Sequence, residues 1–327
     1  MGGVHIVRKQ DELKLSLMIQ VYNGGDYWRE CWESAVRNLD LFEKIYVSIG
    51  KSPKQEEDAA LIRNFSSDKL YWICQDREMS AREHGEIFDN WVSSLHPEGH
   101  IFILCHDDIL LRDGLLKLRD LELKEEDAAF GSFHFFFQEG CGKEITVREF
   151  HREDDRPLDK EMFVFLQDQE RFTYNASGLV LPAELYKEYP LPWHLLRYGC
   201  FSECSHLIHP KIKRIYQTAV PTVKIRCHAG SEGALMKPDD LLHDSLAYHL
   251  ISSAVAEKPY LRKLQTRSVL YLLRQDPWNG FRYFIQLQIK LSRLKFYYPR
   301  GWRIYGYMFQ ITGQKVFNGL AKLFRLD

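Results

Sequence analysis

The sequence predicts an open, mostly parallel α/β sheet in its first third, then a β-rich half, then a basic helical region. Three observations carry this. Short apolar runs alternate with helically spaced apolar residues as far as Cys105, the pattern turns strand-rich from Asp127, and basic residues collect after residue 257.

The elements follow in order. Residues 15–21 form an apolar run for a buried strand, and Tyr22-Asn23-Gly24-Gly25 supplies the turn. A helix over 26–38 has Asp26 as its expected N-cap and Tyr27, Cys31, Ser34 and Ala35 on one face. Residues 44–49 read as the second strand, 55–65 as an acidic surface helix, 71–74 as the third strand, 83–95 as the third helix and 100–105 as a fourth, apolar strand. Open sheets of this alternating kind bind ligands at the carboxyl ends of their strands, where the polar residues after Val21, Cys74 and Cys105 gather. Strands over 128–138 and 144–150, a charged loop through 160 and a return strand at 176–181 make up the next half. Leu242, Leu246, His249 and Leu250 then set helical spacing over 239–255, and helical, basic chain continues to the end.

With 327 residues, 45% hydrophobic and 27% charged, the chain has the composition of a globular enzyme rather than a disordered or fibrous protein. The first twelve residues carry no apolar signal segment, Ile6 breaks the myristoylation pattern that would begin at Gly2, and no run approaches the roughly 18 apolar residues of a membrane span. Seven widely spaced cysteines read as reduced thiols in a cytoplasmic protein. Cys200, Cys204, His206, His209, Cys227 and His228 could supply soft zinc ligands, but the paired CxxC knuckle is missing and the apolar surroundings favour buried structural cysteines. The net charge of −1 conceals a segregation: residues 258–327 hold fourteen Lys and Arg against Asp276 and Asp327, a net of +12 that leaves −13 for the rest. Such asymmetry points to an anionic surface as partner.

His106-Asp107-Asp108 follows the fourth strand directly. Adjacent carboxylates repel each other unless a cation sits beside them, and Mg²⁺ or Mn²⁺ takes oxygen ligands while keeping positions open for phosphate oxygens. The competing reading is that the pair only ends the strand and caps a helix over 114–121.

Five segments in order over roughly residues 15–233 resemble the inverting, bacterial-type GT-A family 2 glycosyltransferases. Leu15 to Asn23 is similar to the family's first strand and Tyr-Asn turn, and Leu104 to Asp108 to its metal-binding DxD segment. Asn175-Ala176-Ser177-Gly178-Leu179-Val180 with Glu184-Leu185-Tyr186 resembles the acceptor-side strand and helix. Phe201-Ser202-Glu203-Cys204 stands where the family carries its Glu-Asp pair, and Arg226-Cys227-His228-Ala229-Gly230-Ser231 resembles its Arg-x-His-x-Gly-Ser segment. The resemblance implies a GT-A, doubly wound Rossmann-like sheet with an acceptor-side β-rich half and a C-terminal helical extension. Boundaries fall at 1–235 for the catalytic domain, divided into a nucleotide-sugar half (1–113) and an acceptor half (114–235), with 236–327 as the basic region. It further implies Mn²⁺ or Mg²⁺ as cofactor on Asp107, Asp108 and His228, and Glu203 as the base. Val21, Tyr22, Asn23, Asp76, Arg82, Asp107 and Arg226 would line the donor site, with Arg82 or Arg226 neutralising the diphosphate.

Three positions depart from the family. The second strand ends in Ile49-Gly50-Lys51-Ser52 where the family often has an Asp that holds the nucleoside, so base recognition differs or comes from Asp76. The first DxD position is Cys105, and the partner of Glu203 is Cys204. The partners expected are a nucleotide-sugar donor, a glycan or glycolipid acceptor in cell-surface polysaccharide or lipopolysaccharide synthesis, and an anionic membrane surface reached through the basic helices from the cytoplasmic side. Nucleic acid is not among them, because no module signature accompanies the basic tail. The alternative is a catalytically inactive GT-A-like scaffold, since Ile49, Cys105 and Cys204 all stand where carboxylates are expected. Phe135, Phe136, Phe137, Trp193 and Tyr198 are candidates for stacking on sugars, though aromatic runs in strands are more often core.

Overall fold

A computed structural model describes residues 13–137, 149–150, 157–159, 176–188, 197, 211–230, 237–255 and 259–293. The first half alternates strand and helix as expected: β1 (Leu15–Val21), α1 (Gly25–Arg37), β2 (Ile45–Ile49), α2 (Gln55–Arg63), β3 (Leu70–Cys74), α3 (Ala81–Ser94) and β4 (His100–Cys105). The strand pair β5 (Ile109–Leu110) and helix α4 (Arg112–Arg119) lead into β6 (Asp127–Phe137), then the short β7 (Glu149–Phe150) and β8 (Leu158–Asp159). β9 (Leu179–Pro182), α5 (Ala183–Glu188) and the long β10 (Arg214–Cys227) follow, and then the helices α6 (Pro238–Val255), α7 (Pro259–Gln275) and α8 (Pro277–Arg293).

All ten strands among the described residues belong to one sheet, ordered β3-β2-β1-β4-β9-β6-β10-β5, with β7 on β6 and β8 on β10. The β3-β2-β1-β4 half is parallel, β9 joins it antiparallel, and β6 pairs parallel with β10. The two expected halves therefore share a continuous sheet. β1 is central and almost wholly buried, which is why its sequence is apolar apart from Ser16 and Gln20. Trp28, Cys31, Trp32 and Ala35 of α1 cover one face with Leu17, Ile19 and Val47. Phe88 and Val92 of α3 cover the other with Met18, Tyr46 and Ile101, where Tyr248 of α6 also packs.

α1 begins one residue earlier than expected, and Asp26 is an exposed residue of its first turn rather than its cap. The cap comes from a distance. Buried Asp58 of α2 accepts from the backbone N–H groups of Gly24 (3.0 Å) and Gly25 (2.8 Å), while its own carbonyl accepts from the Trp28 indole. Gly25 has a positive φ of 54°, which a residue without Cβ adopts freely. The positive end of α1 is thus already matched by a protein carboxylate, which removes it as a phosphate cradle. Helices α6, α7 and α8 build a third core from Leu242, Leu246, Val269, Leu273, Tyr283, Phe284 and Leu287. In none of the described helices is the chain long and apolar enough to cross a membrane.

Candidate functional site

Four of the expected site residues meet where β4 and β10 end. Arg226 and His228 come from the end of β10, and Asp107 and Asp108 from the turn after β4. The two adjacent aspartates have different surroundings. Asp108 is 2% exposed. One of its oxygens accepts from the Arg226 backbone N–H at 2.8 Å and the other from the Ser177 hydroxyl. Ser177 also accepts from the Cys105 N–H at 2.8 Å, so this single hydroxyl ties the start of β9 to the end of β4. Burial, and then the charge of Asp107, push the Asp108 carboxyl well above the usual range.

Asp107 opens outward. Its carboxylate lies 3.0 Å from His228 Nε2, and each of these side chains is 15% exposed. The Tyr27 ring of α1 backs the imidazole with centroids 4.6 Å apart. Cys105, Asp107 and Asp108 bring ligand atoms within 4.8 Å of one another, a grouping that can hold a metal ion.

Arg226 is 7% exposed and its guanidinium is committed inside the protein. It pairs with Glu30 of α1, donates to the Asp107 carbonyl at 3.0 Å, and lies 4.7 Å from the ring centroids of both Tyr27 and Phe136. The arrangement makes it the residue that fixes the Asp107 turn. Phe136 thereby gains a role against a cation, whereas Phe135 packs on the core.

The remaining donor-side candidates lie along the same carboxyl edge. Val21 is buried and its carbonyl accepts from the Gly50 N–H at 2.8 Å, which zips β1 to the end of β2. Tyr22 is half exposed, Asn23 has a positive φ of 51°, and Asp76 is exposed beyond β3. Arg82 stands in the first turn of α3, whose Ser80–Glu83 capping box fixes the start of that helix. A Cβ on Gly50 would lie 3.0 Å from Tyr22 and 3.1 Å from His84, so two rings converge where the resemblance expects an Asp. Beneath them His84 bonds Ser48 at 2.7 Å and Gln75 donates to Ser48 at 2.9 Å. Burial, with the charge of His106 second, pushes His84 down to about 4. Burial also lowers His106, whose ring packs against Gly24.

Glu203, with Cys204, Trp193, Tyr198, Cys200, His206 and His209, lies outside the described residues, so the expected base and zinc cluster have no structural account. Among the described residues, Cys31, Cys74, Cys105 and Cys227 form no disulfide. Sequence reasoning did not anticipate the work of Asp58, Glu30 and Tyr27. The signal available for the last two was their spacing of one helical turn on α1, the face turned to His228 and Arg226.

In sequence the chain matches no protein-family model and no curated protein. In structure it is similar to residues 1–349 of S. aureus TarS. The TarS complex with UDP-GlcNAc gives a TM-score of 0.57 at 12% identity, over 84% of this chain and 80% of that one. A second structure of the same TarS fragment gives 0.51 at 12% identity, over 86% of this chain and 73% of that one. At such identity the likeness is one of fold, and the fold is the GT-A architecture of glycosyltransferases.

Proposed function

We propose that the chain is an inverting glycosyltransferase that moves a sugar from a nucleotide-sugar donor to an acceptor hydroxyl. The observation that carries this reading is the Asp107–His228 pair, held at the carboxyl edge of a GT-A sheet by contacts that occupy Asp108 and Arg226. A carboxylate oxygen beside an imidazole nitrogen suits Mn²⁺, and with water in the remaining positions also Mg²⁺, so the residues present fit a divalent cation. When bound, that ion neutralises charge on the departing diphosphate. Asp107 and His228 would hold it, with Cys105 and Asp108 of the same grouping beside them, and Asp108 also fixes the turn.

The chain's own residues supply the rest. Tyr22 offers a ring face to the base, Asp76 a carboxylate to the nucleoside, and Arg82 a cation to the phosphates. Arg226 acts at one remove, through the Asp107 carbonyl. Glu203 accepts the proton of the attacking hydroxyl, and attack from the face opposite the nucleotide inverts the anomeric centre. Since TarS of the same fold is described with UDP-GlcNAc, a uridine diphosphate sugar is the first donor to offer. The acceptor is a glycan or glycolipid of the cell surface, met by a peripheral enzyme on the cytoplasmic face of the membrane.

The test is to incubate pure protein with Mn²⁺ and a panel of nucleotide sugars, recording melting temperature and release of nucleotide. A donor that raises the melting temperature only with the metal, and is then consumed, supports the reading. Donor binding without consumption by any acceptor would favour the inactive scaffold, and no binding at all would overturn both.

A further inference from the structure

Exposed apolar side chains gathered on one face and rimmed by polar or charged groups mark an interaction surface, whereas scattered single ones do not. Among the described residues, Tyr271 is 62%, Trp278 76% and Ile289 51% exposed. All three belong to α7 and α8. On α7 the exposed positions Arg267, Tyr271 and Arg274 are spaced by four and three residues, one helical face. On α8 the exposed positions Trp278, Arg282, Ile289 and Lys290 repeat the pattern. The opposite faces, with Val269, Leu273, Tyr283, Phe284 and Leu287, already form the third core, so the exposed stripes are not unfilled core surface.

The corner between the helices is tight. A Cβ on Gly280 would lie 3.0 Å from the Leu273 side chain, which fixes α8 against α7 just where Tyr271 and Trp278 are presented. Residues 259–293 carry seven Lys and Arg against one acid, Asp276. That carboxylate is turned inward as the cap of α8, accepting from the Asn279 N–H at 3.1 Å and its amide at 2.8 Å.

We propose that this face, centred on Trp278 at the α7–α8 corner, lies on the surface of an anionic lipid bilayer. The inference rests on the reading of a membrane-bound acceptor and deepens it by naming the docking face. Indole and phenol rings sit at the headgroup boundary with an apolar body inward and a polar edge outward, Ile289 adds an aliphatic anchor, and the flanking cations meet lipid phosphates. Since no described helix can span a bilayer, the contact lies on the membrane, not through it.

Co-sedimentation of the full chain with vesicles tests this, comparing phosphatidylglycerol mixed into phosphatidylcholine with phosphatidylcholine alone, at low and at high salt. The wild type should pellet with the anionic vesicles at low salt and be released as salt rises. Joint replacement Tyr271→Ala and Trp278→Ala, and separately Arg267→Glu and Arg274→Glu, should weaken binding about tenfold or more. Because these side chains lie outside the core, the variants should melt within a few degrees of the parent and bind donor as it does. Equal pelleting of parent and variants, no pelleting of the parent, or capture by single-stranded polynucleotide in place of vesicles would each overturn the proposal. Vesicle binding that survives a failure of sugar transfer overturns the proposed reaction alone.

Discussion

Asp107 and Asp108 are neighbours in sequence with opposite environments, so their neutral variants should fail differently. Asp107→Asn keeps the fold and, under the proposed mechanism, loses most metal-dependent turnover, at a cost of several kcal/mol in transition-state stabilisation. Asp108→Asn should cost about 1–3 kcal/mol of stability in urea denaturation, because an amide nitrogen cannot accept from both Ser177 and the Arg226 N–H. Equal stability losses would contradict the division. The pair itself was legible, since two carboxylates directly after an apolar strand announce themselves. Its division was not, because the partners that bury Asp108 stand 69 and 118 residues further on. His84 makes a prediction of its own. Its folded value near 4 lies below the ordinary 6.5, so the unfolded chain takes up the proton first. Stability is fully present above about pH 6.5 and is lost as pH falls towards 4, by an amount on the order of 2–3 kcal/mol. Urea midpoints should show that slope in the parent and a shallower one in His84→Gln; an unchanged slope would remove His84 as its source.

Elements were the most readable level, and their ends the least. The run from β1 to β4 follows from apolar periodicity alone, whereas the cap of α1 comes from α2, 33 residues away, and no local pattern announces it. Removing that cap in Asp58→Ala should cost about 1–2 kcal/mol, read from a urea midpoint. Helix docking gives a second case. Arg197 donates to Asp239 and Asp240 of α6, its backbone N–H donates to the buried Asp244, and its guanidinium lies 4.4 Å from the Tyr283 ring centroid of α8. Tyr283 in turn donates to Asp239. The knot ties the chain just before the Glu203 segment to α6 and α8. Arg197→Ala should therefore destabilise by roughly 2 kcal/mol, between the worth of an exposed pair and a buried one. A loss near zero would show that the helices dock by apolar packing alone.

At the scale of the whole molecule, the charge segregation and the helical end were plain in the sequence, but the way that end packs on the sheet was not. Tyr248 of α6 packs into the core around Phe88 and Ile101, while Leu246, Ala247 and Leu250 of the same helix are covered by α7 and α8. The GT-A sheet was legible through ordered motifs rather than composition, and the acceptor half only in outline, since its register depends on β6 and β10 pairing across some 87 residues. The central claim is that Asp107 and His228 hold the divalent cation that meets a nucleotide diphosphate. The most direct measurement is the melting temperature of the parent and of Asp107→Asn with uridine diphosphate, Mn²⁺, both, or both with excess chelator. The parent should rise clearly only when nucleotide and metal are present together, and Asp107→Asn should not rise at all. An equal rise in the variant, or in the parent under chelator, would contradict the account.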